Sequence, residues 1–413
     1  MEFIREKIKE KPLNKKRIAI QVGIAALCGL VFALCGCIVV LIFAPQIKDA
    51  LAENPQNTME SELDSESEVS ESDTQGIVVV PPPVVPDISL SISDYQELKS
   101  QLYAIGNEAN KSIVTVTGMK SEMDWMNNAY ETLGQGSGVI LSTDNNYLYI
   151  LTEMKNISDA KNINVTFVDE ARAEATLLKT DANTGLTILT VEKSKLEKAT
   201  HSAIKVAKIG NSRIVKNGSI VIALGSPLGA SGSILTGNIT STENEINTKD
   251  VNYSVFTTDI VANENGSGIL INTSGEIVGV VIQDFSGSQD SSTLTAVAIA
   301  EISGLLDTLV DGKDNPYIGL YVSTVTDDIS KTYDIPKGVF IREVITDSPA
   351  MLAGLQSGDV IVKMNGEEIT NDYLYSSKLS ALIPGTKCDI VVKRQNGADY
   401  YEITCTVEIG VLQ

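Results

Sequence analysis

The residues of this chain that are most readily assigned a chemical role are Gly266-Ser267-Gly268. They lie in a stretch from Thr258 to Asn272 that is polar at its start and apolar at its end. A serine nucleophile is presented in this way, because flanking glycines let the backbone turn tightly and approach a substrate carbonyl. The same pattern is also typical of an ordinary turn before a strand. Residues elsewhere in the chain are needed to choose between these two interpretations.

The chain contains one histidine, His201. A serine hydroxyl is a poor nucleophile unless a base takes its proton, and the usual base is an imidazole oriented by an acid. His201 precedes the segment 206–212, in what we expect to be a surface connection, so we predict a solvated loop histidine. A single histidine also disfavours a zinc site, and we expect neither a metal nor another cofactor.

The composition bounds the class of protein. A chain of 413 residues is long enough for two or three domains with their own cores. Its formal net charge of −21 argues against a nucleic-acid partner, which would require a basic stripe. No Cys-x-x-Cys pair occurs among the five cysteines, which disfavours a metal knuckle or redox motif. Cys388 and Cys405 predict either a disulfide across neighbouring strands or two buried thiols.

The N-terminal segment has the pattern of a membrane anchor. Residues 1–17 carry seven Lys or Arg against three Glu, and residues 18–44 contain no charged residue. This run of 27 residues exceeds the roughly 20 that cross a hydrocarbon core. A cleaved signal peptide is the alternative, but the run is longer than a typical signal core and lacks an Ala-x-Ala-like site before Pro45. We therefore predict an uncleaved transmembrane helix, with the basic tail in the cytosol and the bulk of the protein extracytoplasmic.

Residues 45–90 have the composition of a linker. The segment 53–73 is rich in Ser and Glu and cannot bury enough apolar surface to fold. The Val- and Pro-rich segment 78–86 favours an extended polyproline II conformation. We predict a disordered acidic and Pro-rich linker that holds the folded part away from the membrane.

The composition becomes globular from about Ile88. Residues 94–107 have helical spacing, and the short apolar runs that follow at near-regular intervals indicate an all-β barrel or sandwich pair. A second unit begins near Asn315 and mixes strands with two short helices, as a small binding module does. Examples of the predicted strands in the first unit are 112–117, 138–142, 147–152, 163–167, 175–179, 187–191, 220–224, 253–257 and 276–282. The predicted strands of the second unit are 319–325, 338–344, 359–364, 388–394 and 401–407, and its two helices are 349–352 and 372–382.

The order of these segments resembles the HtrA/Deg family, which joins a membrane anchor or signal to a trypsin-like protease and a C-terminal PDZ domain. The resemblance runs from about Leu98 to the C-terminus. It implies a mainly β fold with one transmembrane helix, a trypsin-like double six-stranded β-barrel at 91–312 and an α+β PDZ domain at 314–410. It also implies a homotrimer. The motifs of the protease part are Gly136–Ile140, Leu148–Thr152, Val206–Ser212, Gly218–Gly229, Thr236–Ile239, Thr258–Asp259 and Gly275–Val280.

The catalytic positions depart from the family pattern. Where the family has Leu-Thr-Asn-x-His-Val, this chain places Lys155 at the histidine position, and Gly185 stands at the position of the orienting aspartate. Ser267 occupies the nucleophile position, in a loop that is one residue shorter than the family's Gly-Asn-Ser-Gly-Gly-Pro-Leu. The shorter loop shifts the oxyanion hole expected at Asn265, Gly266 and Ser267, and losing one such donor costs about 3 kcal/mol. We therefore expect conventional triad hydrolysis to be absent.

A Ser267/Lys155 dyad is the alternative for an active enzyme, since such pairs are known nucleophilic arrangements. It requires a neutral lysine, which means burial and no nearby carboxylate. Asp259 and Glu264 lie in the serine loop, and either would keep Lys155 charged. The other interpretation is a surface lysine in a protein that no longer needs catalysis.

The C-terminal unit keeps the family pattern. Tyr317-Ile318-Gly319-Leu320 resembles the PDZ loop whose backbone N–H groups receive a peptide's terminal carboxylate, and the following strand pairs with the peptide. The helix at 372–382 forms the other wall of that groove. The remaining PDZ motifs are Gly338–Ile341, Ser348–Leu355, Gly358–Ile361 and Asn365-Gly366, which also read as ordinary turn and cap signals.

The sequence thus predicts a membrane-anchored, extracytoplasmic relative of the HtrA proteases. As a proteolytically inactive protein it would bind C-termini or unfolded segments of envelope proteins through its PDZ domain, in protein quality control. The alternative is an active serine endopeptidase that uses Ser267 and Lys155. A third interpretation is that the barrel only scaffolds an oligomer.

Overall fold

The structure, a computed structural model, describes residues 91–123, 129–287, 292–397 and 399–413. Residues 87–413 form one compact unit. The predicted cytosolic tail, the predicted transmembrane helix 18–44 and the whole of the predicted linker 45–90 lie outside the described residues. Within the part that the structure describes, no helix is both long and apolar enough to cross a bilayer.

The described chain begins with helix α1, Ile92–Ala109, which confirms the predicted helix and extends it at both ends. A capping box starts it, since the Ser91 hydroxyl accepts from the Asp94 backbone N–H and the Asp94 carboxylate accepts from the Ser91 N–H. Gly106 allows this helix to approach the second barrel closely, because a Cβ there would lie 2.7 Å from Cγ2 of Ile234. A 3₁₀ turn, Asn110–Ser112, leads into the first strand.

Six antiparallel strands close the first barrel in the order β1-β2-β3-β6-β5-β4. Apolar side chains alternate along them, and the inward set that includes Val116, Ile140, Ile150 and Leu189 is completely buried. The strands are β1 Ile113–Met123, β2 Ala129–Thr143, β3 Tyr147–Glu153, β4 Asn162–Thr166, β5 Arg172–Thr180 and β6 Leu186–Glu192.

The second barrel follows a short connection that contains helix α2, Lys198–Ala203. Its sheet has the order β11-β8-β9-β10-β13-β12-β7, and the additional pairing of β11 with β12 closes six of these strands into a ring. Helix α3, Ile299–Val310, covers one end of the barrel with Ile302, Leu306 and Leu309 and was not among the predicted elements. The strands are β7 Lys208–Ile209, β8 Ile220–Ser226, β9 Ser233–Asn247, β10 Asn252–Val261, β11 Ser267–Ile271, β12 Glu276–Ile282 and β13 Thr293–Ala298. The predicted pair of trypsin-like six-stranded barrels is therefore confirmed.

The C-terminal unit has the predicted α+β fold, with a sheet in the order β15-β16-β17-β19-β20 and β18 paired to β17. β15, Leu320–Thr324, is an edge strand and lies beside helix α6, Asp372–Ser380. The elements are β14 Pro316–Tyr317, β15 Leu320–Thr324, α4 Asp327–Tyr333, β16 Val339–Val344, α5 Pro349–Leu352, β17 Val360–Met364, β18 Glu367–Glu368, α6 Asp372–Ser380, β19 Lys387–Asn396, β20 Asp399–Glu408 and β21 Gly410–Val411.

Cys388 and Cys405 lie on the paired strands β19 and β20 as buried free thiols. The register places Cys388 opposite Val407 and Cys405 opposite Ile390, so the two sulfurs do not face each other. Of the two alternatives that the sequence left open, the structure has the buried thiols and not the disulfide.

Candidate active site

Ser267 is the first residue of β11 and is paired on both sides, opposite Ser226 on β8 and Ile282 on β12. Its side chain is buried, with 1% of the residue exposed. The Oγ atom accepts a hydrogen bond from the backbone N–H of Ser137 on β2, at 3.0 Å. The hydroxyl that the sequence singled out as a nucleophile thus joins the two barrels as a buried acceptor.

The loop before Ser267 is organised by Asn263. The backbone N–H of Asn265 donates to the Asn263 side-chain Oδ1 at 3.0 Å, and the N–H of Gly266 donates to the Asn263 carbonyl at 2.9 Å. The Asn263 amide in turn donates to the carbonyl of Leu228 at 2.8 Å. Two of the three N–H groups expected at the oxyanion hole are therefore engaged inside their own loop.

The backbone on both sides of Ser267 is too crowded for larger residues. A Cβ on Gly266 would lie 2.7 Å from the carbonyl oxygen of Pro227 and 3.0 Å from that of Asn263. Gly268 has φ +133° and a Cβ there would lie 2.0 Å from the carbonyl oxygen of Leu224. Both glycines are thus required by close contact between β11 and the β8 side of the barrel.

Lys155 lies in a single 3₁₀ turn, Met154–Asn156, that follows β3. Its Nζ atom is 2.9 Å from Oε2 of Glu153 and 3.7 Å from Oδ1 of Asp284. Of the two serine-loop carboxylates considered as partners of Lys155, Asp259 accepts hydrogen bonds from the backbone and side-chain amides of Asn238, at 2.6 and 2.8 Å. Among the ion pairs of the described residues, Lys155 is paired with Glu153 and Asp284 and with neither Asp259 nor Glu264.

Glu153 is the partner of Lys155 that the sequence did not reveal. It is 4% exposed, and desolvation raises the pKa of its carboxyl to about 7, although the ammonium of Lys155 opposes the shift and Asp284 adds to it. Buried carboxylates are normally paired with a cation, and Lys155 is that cation for Glu153. The family motif carries Asn at this position, so the exchange of Asn for Glu next to the exchange of His for Lys was the available signal.

Gly185 stands beside the turn that carries Lys155. Its carbonyl accepts a 2.7 Å hydrogen bond from the Met154 N–H, and its own N–H donates to the Asp181 carbonyl at 2.9 Å. Gly185 has φ +70°, and a Cβ added to it would meet no atom of the described residues within 4 Å. The two positions at which the resemblance predicts a histidine and an aspartate are thus neighbours in space, and the space beside Gly185 is open.

The structure does not connect the predicted dyad. Among the hydrogen bonds and ion pairs of the described residues, none joins Ser267 to Lys155. The cavity lined by Ser137, Thr152, Glu153 and Gly268 has a volume of only about 10 Å³, which is about the space of one water molecule. His201 is exposed on α2 and its Nε2 lies 3.1 Å from the Lys193 carbonyl, which confirms a surface histidine.

The PDZ loop places three backbone N–H groups around one point. Ile318 and Gly319 donate to Oδ2 of Asp250 at 2.8 Å each, and Leu320 donates to its Oδ1 at 2.9 Å. The hydroxyl of Tyr375 on α6 donates to the same Oδ1 at 2.8 Å. Three of the four predicted loop residues thus supply donors to a carboxylate, whereas Tyr317 pairs with Gly410 through β14 and β21. Asp250 and Tyr375 were not predicted, since an aspartate in a turn and a tyrosine in a helix carry no distinctive signal.

Comparison with known proteins agrees with this architecture. Residues 136–280 match the trypsin-like peptidase domain family, and residues 316–405 match the PDZ domain family. A probable periplasmic serine endoprotease DegP-like of Pseudomonas fulva is 32% identical over 289 residues, which cover 68% of this chain and 57% of that protein. The serine protease Do-like HtrB of Bacillus subtilis is 30% identical over 283 residues, which cover 62% of this chain and 60% of that protein. The chain therefore spans less than two thirds of the length of these relatives.

Solved structures give the same fold. The HtrA-type protease AlgW with a decapeptide superposes with a TM-score of 0.56 at 21% identity, covering 75% of this chain and 98% of that one. The serine endoprotease from Yersinia pestis superposes with a TM-score of 0.52 at 25% identity, covering 76% and 98%. The chain thus combines a trypsin-like peptidase domain with a PDZ domain. It is a relative of the HtrA/DegP family of trypsin-like serine proteases.

Proposed function

We propose that this protein is a proteolytically inactive member of the HtrA type, which binds the C-termini of envelope or misfolded proteins through its PDZ domain in protein quality control. The observation that carries the binding part is the convergence of three PDZ backbone N–H groups on a carboxylate. Such a nest of N–H groups is how a peptide's terminal carboxylate is recognised. The loop therefore has the geometry that the function requires.

The inactivity is supported by the partners of the catalytic positions. A serine nucleophile needs a neutral base within hydrogen-bond reach, whereas the Lys155 ammonium pairs with Glu153 and the Ser267 hydroxyl accepts from Ser137. The N–H groups of Asn265 and Gly266 donate to Asn263 and are not free for an oxyanion. Among the described residues, these partners support the proposal that acyl transfer does not occur.

The register of the serine loop gives further support. The loop is one residue shorter than the family's only when it is aligned on Ser267; aligned on Asn265, the segment Asn265–Leu270 has the same length as Asn-Ser-Gly-Gly-Pro-Leu. In this register the nucleophile position falls on Gly266, and Ser267 takes the place of the glycine that follows it. The burial of Ser267 inside β11 fits this alternative, because a residue paired on both sides is not presented to a cleft.

The proposed cellular location of the protein is supported by its N-terminal sequence and by the relatives. The uncharged run 18–44 after a basic tail supports a single membrane anchor with the folded part outside the cytosol. The Pseudomonas fulva relative is named as a probable periplasmic serine endoprotease, which agrees with that side of the membrane. A homotrimer through the protease domain is part of the same proposal and rests on the family resemblance.

The activity is tested with fluorescently labelled casein, incubated with the full-length protein between pH 7 and pH 10 beside the Ser267→Ala variant. The expected result is that both release the same background fluorescence at every pH. Cleavage that disappears in Ser267→Ala and rises with pH would instead establish a lysine base and a working enzyme.

A further inference from the structure

Asp250 is the occupant of the PDZ carboxylate loop, and it belongs to the peptidase part of the same chain. It lies in the turn 248–251 that joins β9 to β10 of the second barrel. Only 2% of the residue is exposed, and its backbone has φ +63° in the left-handed region. A left-handed aspartate costs little because its short side chain tolerates this conformation. The turn thereby aims a carboxylate out of the barrel and into the neighbouring domain.

The contacts of Asp250 reproduce those of a bound C-terminal residue. Beyond the three N–H donors and Tyr375, the backbone N–H of Asp250 donates to the Leu320 carbonyl on the edge strand β15, at 2.7 Å. Asn252 continues the interaction, since its side-chain amide donates to the Val322 carbonyl at 3.2 Å and to the Asp372 carboxylate at 2.7 Å. The backbone carbonyls of the edge strand β15 are the acceptors that an added peptide strand would use.

The loop has room for one carboxylate. Asp250 uses both oxygens for the four donors, and burial raises the pKa of its carboxyl while the hydrogen bonds oppose the shift. A second carboxylate at this point would face the first without any remaining donor, and like charges at such a distance exclude each other. A peptide terminus and Asp250 therefore compete for the same site.

The turn 248–251 is held in place by hydrogen bonds within the peptidase part of the chain. The N–H and the hydroxyl of Thr248 both donate to the Val251 carbonyl, at 2.9 and 2.6 Å. The Asn183 amide of the first barrel donates to the Lys249 carbonyl at 2.8 Å. These bonds order the turn whether or not the PDZ loop engages it, so the carboxylate is pre-positioned and loses little entropy on docking.

We infer that Asp250 is an internal ligand of the PDZ domain, which closes the carboxylate site to peptide C-termini until the turn is displaced. This inference rests on the proposed peptide-binding function. When only a fraction of the molecules is open, the apparent dissociation constant for a peptide increases by the inverse of that fraction. Removal of the Asp250 carboxylate should therefore tighten peptide binding by about tenfold or more.

The test uses the full-length protein and three variants. Asp250→Asn keeps the side-chain shape and the left-handed backbone but replaces one acceptor oxygen with an NH2 donor, which cannot accept from the loop N–H groups. Asp250→Gly removes the side chain and keeps the positive φ. Asp347→Asn is the matched control, because Asp347 is an exposed PDZ aspartate that also has a positive φ of 59°. The probes are fluorescein-labelled hexa-alanine peptides with a C-terminal Val, Leu, Ile or Phe, each as free acid and as amide.

Two readouts separate the inference from the function on which it rests. Fluorescence anisotropy should show free-acid peptides binding about tenfold tighter to both Asp250 variants than to the wild type or to Asp347→Asn, with no binding of the amides. Hydrogen exchange, without peptide, should show the amides of Ile318, Gly319 and Leu320 exchanging faster in Asp250→Gly than in the wild type.

Each outcome has one meaning. Equal peptide affinity in all four proteins would leave the proposed function standing and overturn the internal ligand. Faster exchange in Asp250→Gly with no peptide bound by any protein would support the internal ligand and contradict the peptide-binding function. Unchanged exchange at residues 318–320 in Asp250→Gly would overturn the inference whatever the peptides do.

Discussion

The ammonium of Lys155 lies 2.9 Å from the carboxylate of Glu153, two residues earlier in the chain and almost completely buried. The family resemblance predicts a histidine at the position of Lys155. An active site would need a group here that changes its charge during the reaction. In this protein Lys155 instead contacts a buried glutamate whose carboxyl has a pKa of about 7 and is mostly ionised only above that pH.

The pH dependence of stability should report Glu153. The pKa of its carboxyl is about 7 in the folded protein, against an ordinary value of 4.5. Between these two pH values the folded protein therefore binds a proton at Glu153 that the unfolded chain has lost. The free energy of unfolding therefore falls as the pH rises from about 4.5 to about 7, by about 3 kcal/mol. Glu153→Gln removes this contribution and should become more stable relative to the wild type at pH 8 than at pH 4.5.

Urea unfolding of both proteins at the two pH values measures this difference. Glu174→Gln, on an exposed part of β5, serves as the control and should differ from the wild type by the same amount at both. A Glu153→Gln variant whose stability relative to the wild type is independent of pH would show that the glutamate is ionised throughout this range.

Much of the fold could be predicted because each strand or helix is encoded by a short stretch of consecutive residues. Strands such as Tyr147–Glu153 and Glu276–Ile282 show in the sequence as apolar runs between turn residues, and the predicted boundaries lie within one residue of the observed ones. Helix α3 was missed because it follows β13 directly and both are apolar. The spacing of apolar residues in such a continuous run does not show where the strand ends and the helix begins.

The site was less predictable, since its decisive contacts join residues far apart in the chain. Ser137 and Ser267 are 130 positions apart, and Asp250 and Leu320 are 70 apart. The sequence indicated that Lys155 and Gly185 replace catalytic residues, but it contained no information about which groups would pair with them. Such pairings depend on how the two barrels and the PDZ domain pack, which the periodicity of a single segment does not encode.

Ser267→Ala should reduce stability, because the hydroxyl is the acceptor for a buried backbone N–H. The variant leaves the Ser137 N–H without its partner, which costs about 1–3 kcal/mol. Ser202→Ala is the control, since Ser202 is an exposed residue whose hydroxyl donates within α2, and its effect should stay within about 0.5 kcal/mol. Urea unfolding at pH 8 measures both. A Ser267→Ala protein as stable as the control variant would mean that this hydrogen bond contributes nothing to folding.

Restoring the family's side chains should not restore proteolysis. In the double variant Lys155→His/Gly185→Asp, an imidazole and a carboxylate return to neighbouring positions, because the Met154 N–H still donates to residue 185. The Ser267 hydroxyl remains buried in β11, and the N–H groups of Asn265 and Gly266 still donate to Asn263. Casein cleavage should therefore stay at the Ser267→Ala background. Serine-dependent cleavage by the double variant would show that the loop can rearrange to a catalytic geometry.

Tyr375 should contribute to carboxylate recognition by the PDZ domain, because its hydroxyl is the one side-chain donor among the four groups that Asp250 engages. A hydrogen bond to a charged acceptor is worth about 1.5 kcal/mol or more. In the Asp250→Gly background, Tyr375→Phe should therefore weaken binding of the free-acid peptides by about tenfold. Tyr373→Phe on the same helix is the control, since Tyr373 is exposed and its hydroxyl contacts Arg213 at 3.4 Å. Anisotropy titrations with the same peptides compare the two, and equal affinities would place the recognition of the carboxylate in the backbone N–H groups alone.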